Sequence, residues 1–497
     1  MKSLRFQFFV SFYILFLFHA SAAVRYVNVK NTSPASPYTS WATAATNIQN
    51  AVDASMDGDL ILVTNGVYQS AGRAAPDGSP TSVVVTHEVV MHSVNGATVT
   101  LIDGGGTNRC VYLTNGTTLV GFTLTNGAAG LGGGVFCASV SVLVASTNAL
   151  VANCLLINNS ASSGGGASSS TLSNCIFTGN SADGGGGAAF SILNNCVLTN
   201  NLSSSATALY YCMATNCVLT GNSGAYCSIE STLANCLSSG NNVYDEVSAG
   251  DTLINCTVVS NMNGIVDSVA INCIIYGNDA QGGANYTSLG ELGLLVLDNC
   301  CTTPDPGGFD GSVGNITNEP TFANPVSGDF HFQSNSPCIN AGNNAYVTNT
   351  NDLGGNPRIV GGTVDIGAYE YQTPMSVISY AWLQQYALPT DGSADYTDTD
   401  GDGMNNYQEW IVGTDPTNPL SALKMLSPMA TNSPAGLLVS WVSVNTRVYY
   451  LQSSTNLEAR PAFSTIQSNI VGQTGTTTYT DTTASNRGPY FYRVGVQ

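Results

Sequence analysis

Basic residues are almost missing from the centre of this chain. Among its 497 residues, twelve Lys and Arg face 31 Asp and Glu, which gives a formal net charge of −19. Every Lys and Arg lies outside Cys110–Pro357, and the only His within that stretch is His331. This shortage of positive charge disfavours nucleic acid, anionic lipid and polyanionic sugars as partners held by charge attraction.

Long apolar runs are also missing, apart from one at the N-terminus. Met1–Arg5 carries two basic residues, Phe8–Phe18 is largely apolar, and residues 20–22 read Ala-Ser-Ala. Eleven residues are too few to span a bilayer, so this pattern predicts a secretory signal peptide, residues 1–22, with cleavage after Ala22. We therefore expect a secreted or cell-surface protein with no membrane span once the signal peptide is removed.

What the sequence does contain is a repeat. Asn-Cys, followed by four residues and a second Asn, occurs seven times at a spacing of about 20 residues. The cysteines are Cys154, Cys175, Cys196, Cys217, Cys236, Cys256 and Cys273, and the second asparagines are Asn159, Asn180, Asn201, Asn222, Asn241, Asn261 and Asn278. Such a period, with short β-type runs and Gly/Asn/Ser turns, predicts a solenoid.

Each repeat divides into three short predicted strands. In the repeat around Asn174, we expect Leu172 to point inward from one strand, and Cys175 and Phe177 to point inward from the next. Asn suits the tight turn between them because it tolerates left-handed backbone angles. Stacked Asn side chains can also hydrogen-bond to the coils above and below.

The fourteen cysteines allow two interpretations. In an exported protein they would ordinarily form disulfides. Seven share one register of the repeat, however, and coils stacked about 4.8 Å apart would hold their Cα–Cβ bonds parallel, which suits the disulfide dihedral angle poorly. We therefore favour a buried column of thiols. Cys212 with Cys227, or Cys300 with Cys301, are better disulfide candidates.

The segment before the repeats carries a family resemblance. Ile48–Ala54 (IQNAVDA), followed by Gly58-Asp59 and Gly66–Tyr68, resembles the start of right-handed parallel β-helix proteins of the pectate-lyase-like superfamily. Apolar residues at helical spacing within Trp41–Met56 predict an amphipathic helix over the open end of the solenoid. We therefore expect an all-β fold: a right-handed, single-stranded parallel β-helix with an N-terminal capping helix. Phe177–Ala182, with the glycines after it, also resembles repeats of polymorphic outer-membrane adhesins.

A second resemblance lies after the repeats. Ser336–Gly342, Asp352–Arg358 and Asp365–Glu370 are similar to the choice-of-anchor domain that ends many bacterial exported β-helices. We interpret the segment of about 331–372 as a C-terminal cap, so that the β-helix with both caps spans residues 23–372.

The next predicted segment, 373–423, contains an acidic loop between two helical patterns. Residues 398–409 read DTDGDGMNNYQE and place oxygen donors at positions 1, 3 and 5, Gly at 6, a polar residue at 9 and Glu at 12. The spacing wraps six or seven oxygens around a hard cation. It resembles the loops of EF-hands, dockerins and thrombospondin type 3 repeats, which implies Ca²⁺ as cofactor; the alternative is an acidic linker. The candidate ligands are Asp398, Asp400, Asp402, Met404 through its carbonyl, Asn406 and Glu409, with Asp395 and Asp415 as further candidates.

The last segment, 424–497, differs again in composition. Short apolar runs such as Leu437–Trp441, Val448–Leu451 and Tyr490–Val494 alternate with polar turns. This pattern predicts a small β-sandwich, vaguely like fibronectin type III.

Candidate catalytic residues are few. Polysaccharide lyases on β-helices need a basic residue to abstract a proton, and the repeat body has no Lys or Arg. Hydrolases of this fold use clustered carboxylates instead. The best acidic group is Glu230, Asp245, Glu246, Asp251 and Asp267, for which the alternative is a set of solvated turn charges.

We therefore predict an exported, non-catalytic and monomeric β-helix protein that binds polysaccharide or a cell-envelope surface. A face rich in Asn, Ser, Thr and Tyr offers the neutral hydrogen-bonding groups that sugars require. The alternative is a polysaccharide-degrading hydrolase or lyase on the same scaffold that uses the acidic group between Glu230 and Asp267, since fold alone does not determine function.

Overall fold

The computed structural model describes residues 22–137, 149–278, 285–288, 294–307, 309, 312–432, 435–484 and 488–497. The predicted signal peptide, apart from Ala22, lies outside them. The chain divides into two compact units: an N-terminal unit up to Ala182 with Gly186–Ile192, and a C-terminal unit of Asp183–Gly185 with Leu193–Gln497. Over the described residues, no helix combines the length and the apolar character needed to cross a bilayer.

The N-terminal unit is a parallel β-helix built from three sheets. In the first sheet Val24–Val27 pairs in parallel with Leu60–Val63, and in the second Gly66–Gln69 pairs with Thr100–Asp103. The first-sheet strands are Val24–Val27, Leu60–Val63, Val90–Ser93, Thr118–Val120, Leu150–Ala152 and Thr171–Ser173; the second-sheet strands are Gly66–Gln69, Thr100–Asp103, Thr123–Thr125, Leu155–Ile157 and Ile176–Thr178. The third-sheet strands are Arg73–Ala74, Pro80–Val84, Arg109–Leu113, Ala128–Leu131, Val135–Cys137, Ser160–Ser163, Ala167–Ser168 and Ala188–Ala189.

A short helix, α1 (Ile48–Asp53), packs against the first strands of this unit. Its N-cap, Asn47, accepts a hydrogen bond from the Asn50 N–H, and it buries Ile48, Ala51 and Val52. The helix is shorter than the pattern over Trp41–Met56 predicts, because residues 41–43 form a separate 3₁₀ turn. It nevertheless supplies the apolar cover that a terminal coil requires.

The C-terminal unit repeats the same three-sheet arrangement. Its first-sheet strands are Met213–Thr215, Thr232–Ala234, Thr252–Ile254, Val269–Ile271 and Val296–Asp298; its second-sheet strands are Val197–Thr199, Val218–Thr220, Leu237–Ser239, Thr257–Val259, Ile274–Tyr276 and Cys301–Thr302. Its third-sheet strands are Leu202–Tyr210, Ser223–Ile229, Asn242–Val243, Ser248–Ala249, Ile265–Val266 and Tyr286–Thr287. Strands Ser181–Gly184 and Ile192–Asn194 lie at the boundary between the units. The predicted β-helix fold is confirmed.

The repeat motif accounts for the geometry of each coil. Asn174 adopts a left-handed conformation, with φ of 54°, and turns the chain from one sheet into the next. Leu172, Cys175 and Phe177 are all fully buried, as the pattern predicts. The glycines of Gly164–Gly166 allow close stacking, since a Cβ on Gly166 would lie only 2.7 Å from the carbonyl oxygen of Gly187.

The second Asn of each repeat forms a buried ladder. Asn241 Oδ1 accepts hydrogen bonds from the main-chain N–H and the amide of Asn222, each at 3.0 Å. The amide of Asn222 also donates to the Leu198 carbonyl at 3.0 Å. These bonds satisfy polar groups that would otherwise be buried without partners, so Asn at this position stabilises the stack of coils.

All fourteen cysteines are buried, and none of them forms a disulfide in the described part of the chain. Along the column, the main-chain N–H of one repeat lies against the sulfur of the next: Cys196 N–H donates to Cys217 Sγ and Cys217 N–H to Cys236 Sγ, each at 3.4 Å. Cys212 and Cys227, the predicted disulfide candidates, are likewise buried and are not joined by a disulfide. The arrangement agrees with a thiol column rather than a disulfide ladder.

We expect thiol titration to show this directly. Protein unfolded in guanidinium without reductant should present fourteen reactive thiols per chain. The native protein should react slowly, because every cysteine is buried and burial raises the pKa of a thiol such as Cys227 to about 12. A count below fourteen in the unfolded, unreduced protein would show that disulfides exist.

The segment of about 331–372 packs along the side of the solenoid in the C-terminal unit. Ile339 and Ile366 form one buried cluster with Leu237, Val259 and Ile274, which belong to the second sheet. A hairpin precedes it, formed by Phe322–Asn324 and Asp329–Phe332. The outward-facing apolar side chains of the second sheet are thereby covered.

The chain ends in two three-stranded antiparallel sheets. One contains Met429–Asn432, Ala435–Ser443 and Gly475–Asp481, and the other contains Val448–Ser454, Ser464–Val471 and Phe491–Val496. Val439 and Trp441 of the first sheet pack against Tyr449 and Leu451 of the second to form a small core. The predicted C-terminal β-sandwich is therefore present.

Candidate metal centre

The acidic loop lies between two short helices of the C-terminal unit, α2 (Tyr380–Gln385) and α3 (Asn406–Val412). Asn405 caps α3 through a capping box with Gln408, and Gly413 ends it in a left-handed conformation. Glu409 therefore lies on the first turns of a well-defined helix, facing the loop that precedes it.

Main-chain N–H groups hold the three Asp side chains of the loop in place. Gly401 and Gly403 donate to the two oxygens of Asp398 at 2.8 and 3.0 Å, Asp402 N–H donates to Asp400 Oδ1 at 3.1 Å, and Met404 N–H donates to Asp402 Oδ1 at 2.8 Å. Both glycines have positive φ, 82° and 98°, which this tight wrap requires. One oxygen from each of Asp398, Asp400 and Asp402 lies within 4.8 Å of the others.

Three carboxylate oxygens of this loop are buried with no hydrogen-bond partner: Asp400 Oδ2, Asp402 Oδ2 and Glu409 Oε2. Glu409 has no exposed surface, and its other oxygen accepts a bond from the Thr414 hydroxyl at 3.2 Å. Burial and the neighbouring carboxylates of Asp400, Asp402 and Asp398 raise the pKa of Glu409 to about 7. A buried carboxylate oxygen without a hydrogen-bond partner destabilises the folded state unless a cation binds it. The donor set therefore fits a hard divalent ion.

The structure does not bring every predicted ligand to this cluster. The Asn406 amide is fully buried; it donates to the Ala394 carbonyl at 2.8 Å and accepts from the Thr399 hydroxyl at 2.9 Å. Asp395 accepts bonds from Ser376 Oγ and Val377 N–H, at 2.6 and 3.0 Å. Sequence spacing places both residues near the loop. In the structure, however, Asn406 links the start of α3 to Ala394 and Thr399, and Asp395 holds residues 376 and 377, which precede α2.

Asp415 is also engaged locally. Its Oδ1 accepts the N–H and the hydroxyl of Thr417, at 3.0 and 2.7 Å. Met404 contributes its N–H to Asp402, and its carbonyl remains a predicted ligand. The side chains that the structure assembles are therefore Asp398, Asp400, Asp402 and Glu409.

The candidate catalytic acids do not form a comparable cluster. Among the described residues, the only group of three or more acidic, His or Cys side chains close enough to share a metal ion is that of the loop at 398–402. Glu246 accepts a bond from the Thr287 hydroxyl at 3.2 Å, while Glu230 and Asp267 occupy turns with positive φ. Asp245 is half-buried.

Asp251 differs from the other four acids because it is only 1% exposed. Its oxygens accept bonds from the hydroxyls of Ser228, at 2.5 Å, and Ser248, and from the N–H of Ser231 at 2.7 Å. Burial raises its pKa to about 7. These contacts give Asp251 a structural role and keep it from a substrate on the surface.

We expect Asp251 to make stability depend on pH. Its pKa is about 7 in the folded chain and 3.8 as the ordinary value, so between these values only the folded state retains the proton. This contribution is therefore fully present below about pH 4 and is lost as pH rises through 7, a change of about 4 kcal/mol. The side chain of Asp251→Asn does not titrate. The melting temperature of this variant minus that of the wild type should therefore increase as pH rises from 4 to 8. Asp245→Asn is the control, and a constant difference between Asp251→Asn and wild type would contradict the assignment.

A search of curated protein sequences finds no match to the chain. Among solved structures, the pectate lyase Pel9A aligns over 71% of this chain and 97% of its own at 13% identity, with a TM-score of 0.43. A PL6 family polysaccharide lyase from Pseudopedobacter saltans aligns over 57% and 88% at 10% identity with a TM-score of 0.31, and a rhamnogalacturonan lyase over 74% and 100% at 9% identity with a TM-score of 0.29. The acidic loop and helix α3 match a known family: residues 398–419 correspond to the bacterial TSP3 repeat.

Proposed function

We propose that the loop at 398–409 binds Ca²⁺ and that the ion stabilises the C-terminal part of the protein. The observation that supports this is the set of three buried, unpartnered oxygens on Asp400, Asp402 and Glu409. Asp398 is the fourth carboxylate ligand, and the carbonyl of Met404 is a further predicted ligand. The amide of Asn406, a ligand by sequence spacing, instead bonds to Ala394 and Thr399. The bacterial TSP3 repeat assignment supports the same ion.

The ion's role is structural rather than signalling. Glu409 lies on α3, so an ion bound to it and to the loop fixes the loop against the helix. Extracellular calcium modules typically bind at about 10⁻⁴–10⁻³ M, a range that suits permanent occupancy outside cells.

We further propose that the protein is exported and that its β-helix binds carbohydrate or a cell-envelope surface without catalysis. The buried state of Asp251 and the lack of Lys and Arg between Cys110 and Pro357 support a non-catalytic role. Exposed aromatic side chains on the C-terminal unit, Tyr211 and Tyr244, add surface of the kind that sugars contact. The proposed domains are a signal peptide (1–22), the β-helix with its caps (23–372), the helix–calcium loop–helix (373–423) and the β-sandwich (424–497).

Two measurements test these proposals separately. Calorimetric titration of the full-length protein with CaCl₂ should show one binding site. Asp400→Asn should lower the affinity of this site for Ca²⁺, whereas Asp391→Asn, at an exposed position, should leave the affinity unchanged. A screen against neutral and uronic polysaccharides with calcium present should show binding and no release of reducing or unsaturated ends. Release that is abolished by changing Asp245 and Glu246 would establish the enzyme alternative instead.

A further inference from the structure

A cavity of about 620 Å³ lies in the C-terminal unit beside helices α2 and α3. This volume falls within the range of small-molecule sites, about 300–1,000 Å³. Residues 314–318, which follow the last solenoid strands, form one wall, and side chains of α2, α3 and the β-sandwich form the others. The cavity is separate from the acidic loop and from the acids at 230–267.

Two indole rings line this cavity, Trp382 on α2 and Trp410 on α3. Both are half-buried, because they pack against a cluster that includes Leu383. Trp382 also contacts the Tyr386 ring edge-on, with the ring centroids 5.0 Å apart. Within the described residues, neither indole N–H makes a hydrogen bond to the protein. Rings held in this way offer rigid apolar faces together with a free donor.

Neutral polar side chains complete the lining. The hydroxyls of Ser379 and Thr317 and the amides of Asn318 and Gln385 all border the cavity. Ser379 is only 8% exposed and its hydroxyl does not cap α2. Over the part of the chain that is described, none of these four side chains makes a hydrogen bond to another protein group. Their donors and acceptors are therefore available to a ligand.

The charged residues at the cavity disfavour an anionic ligand. Arg447 donates to three main-chain carbonyls, those of Ile411 at 2.8 Å, Trp410 at 3.0 Å and Thr446 at 3.3 Å. Its guanidinium is thus engaged at the end of α3 and is not arranged as a clamp for a carboxylate. The exposed carboxylate of Asp305 also borders the cavity and repels anions.

We propose that this cavity is a binding site for a neutral saccharide. The pyranose ring packs its C–H face on Trp382 or Trp410, and its hydroxyls bond to the side chains of Ser379, Asn318 and Gln385. This inference rests on the proposed carbohydrate-binding function and places a site for it at this cavity, whose lining does not include Tyr211 or Tyr244.

The test uses the full-length protein on an array of neutral and uronic oligosaccharides, followed by calorimetry with the neutral sugars that bind. Trp382→Ala should weaken binding at least tenfold. The double substitution Asn318→Ala with Gln385→Ala should do the same, and since Asn318 and Gln385 are exposed, this variant should fold normally. Trp41→Ala, which changes a 42% exposed Trp elsewhere, should retain wild-type affinity.

Three results would overturn the proposal: no binding of any neutral saccharide by folded wild-type protein, a preference for uronic sugars, or full affinity in both cavity variants. The last result would leave carbohydrate binding intact and place it elsewhere on the molecule. The absence of all sugar binding would remove the carbohydrate function itself, while the calcium titration would report independently on the loop.

Discussion

Calcium should raise the melting temperature of the full-length protein, and Glu409→Gln should abolish most of that rise. A ligand that binds only the folded state at 100 times its Kd stabilises it by about 2.7 kcal/mol, a condition that 10 mM calcium meets for a Kd of about 10⁻⁴ M. Glu409 Oε2 is one of the three unpartnered oxygens, so replacing the carboxylate by a neutral amide removes both a ligand and a charge.

Glu458→Gln is the matched control for this experiment, because Glu458 is an exposed residue of the β-sandwich segment and distant in sequence from the loop. Calcium should stabilise this variant as it stabilises the wild type. Differential scanning calorimetry in 10 mM CaCl₂ and in EDTA gives the comparison. Identical melting temperatures of the wild type under both conditions would contradict the calcium proposal.

Asp365→Ala should destabilise the protein by about 3–5 kcal/mol, the usual cost of breaking a buried charged network by removing one member. Asp365 is 1% exposed and accepts N–H bonds from Asn340 at 2.7 Å and Tyr371 at 2.6 Å. Removing its carboxylate leaves the buried Asn340 N–H and the N–H of the half-buried Tyr371 without this acceptor, and it leaves the buried guanidinium of Arg358 with less compensation.

The same network explains why the sequence around Asp365 has so many charged residues at buried positions. Asp352 accepts N–H bonds from Asn356 at 2.8 Å and from Glu370 at 3.0 Å. Glu370 in turn accepts N–H bonds from Val360 at 2.9 Å and from Asp365 at 3.0 Å. Each carboxylate thus bonds to two separate main-chain N–H groups of a segment that has little regular secondary structure.

Chemical denaturation of Asp365→Ala, with the exposed Asp391→Ala as control, measures the effect. The control should remain within about 0.5 kcal/mol of wild type, as surface substitutions usually do. A loss below 1 kcal/mol for Asp365→Ala would show that the network contributes little to stability.

Much of the fold is predictable from local sequence because the solenoid repeats the same short strands and turns in successive coils. Asn174 precedes Cys175 at a turn that needs a left-handed residue, and the same pair recurs through the repeats from Cys154 to Cys273, so the register there is visible without any long-range information. The acidic loop is predictable for a similar reason, since Asp398, Asp400 and Asp402 approach one another through backbone turns that their own glycines permit.

Other features depend on contacts between residues far apart in sequence. In the sequence, nothing distinguishes Asp251 from the other acidic turn residues Glu230 and Asp267. Only the stacking of coils buries it among serine hydroxyls. Asn406 fits a ligand position by spacing, yet its amide is hydrogen-bonded to Ala394 and Thr399. No local pattern distinguishes these outcomes, because side-chain direction is decided by what packs above and below.

The sequence by itself determined the coil, its turn residues, its buried columns and the acidic loop, since each arises from interactions within about one repeat. Only the tertiary structure decided the rest: which loop oxygens lack partners, where the segment around Asp365 packs, and that Trp382 and Trp410 line one cavity. The physical reason is distance along the chain. Short-range turns and hydrogen-bond patterns are encoded in residue type and spacing, whereas burial and cavities depend on which distant surfaces meet.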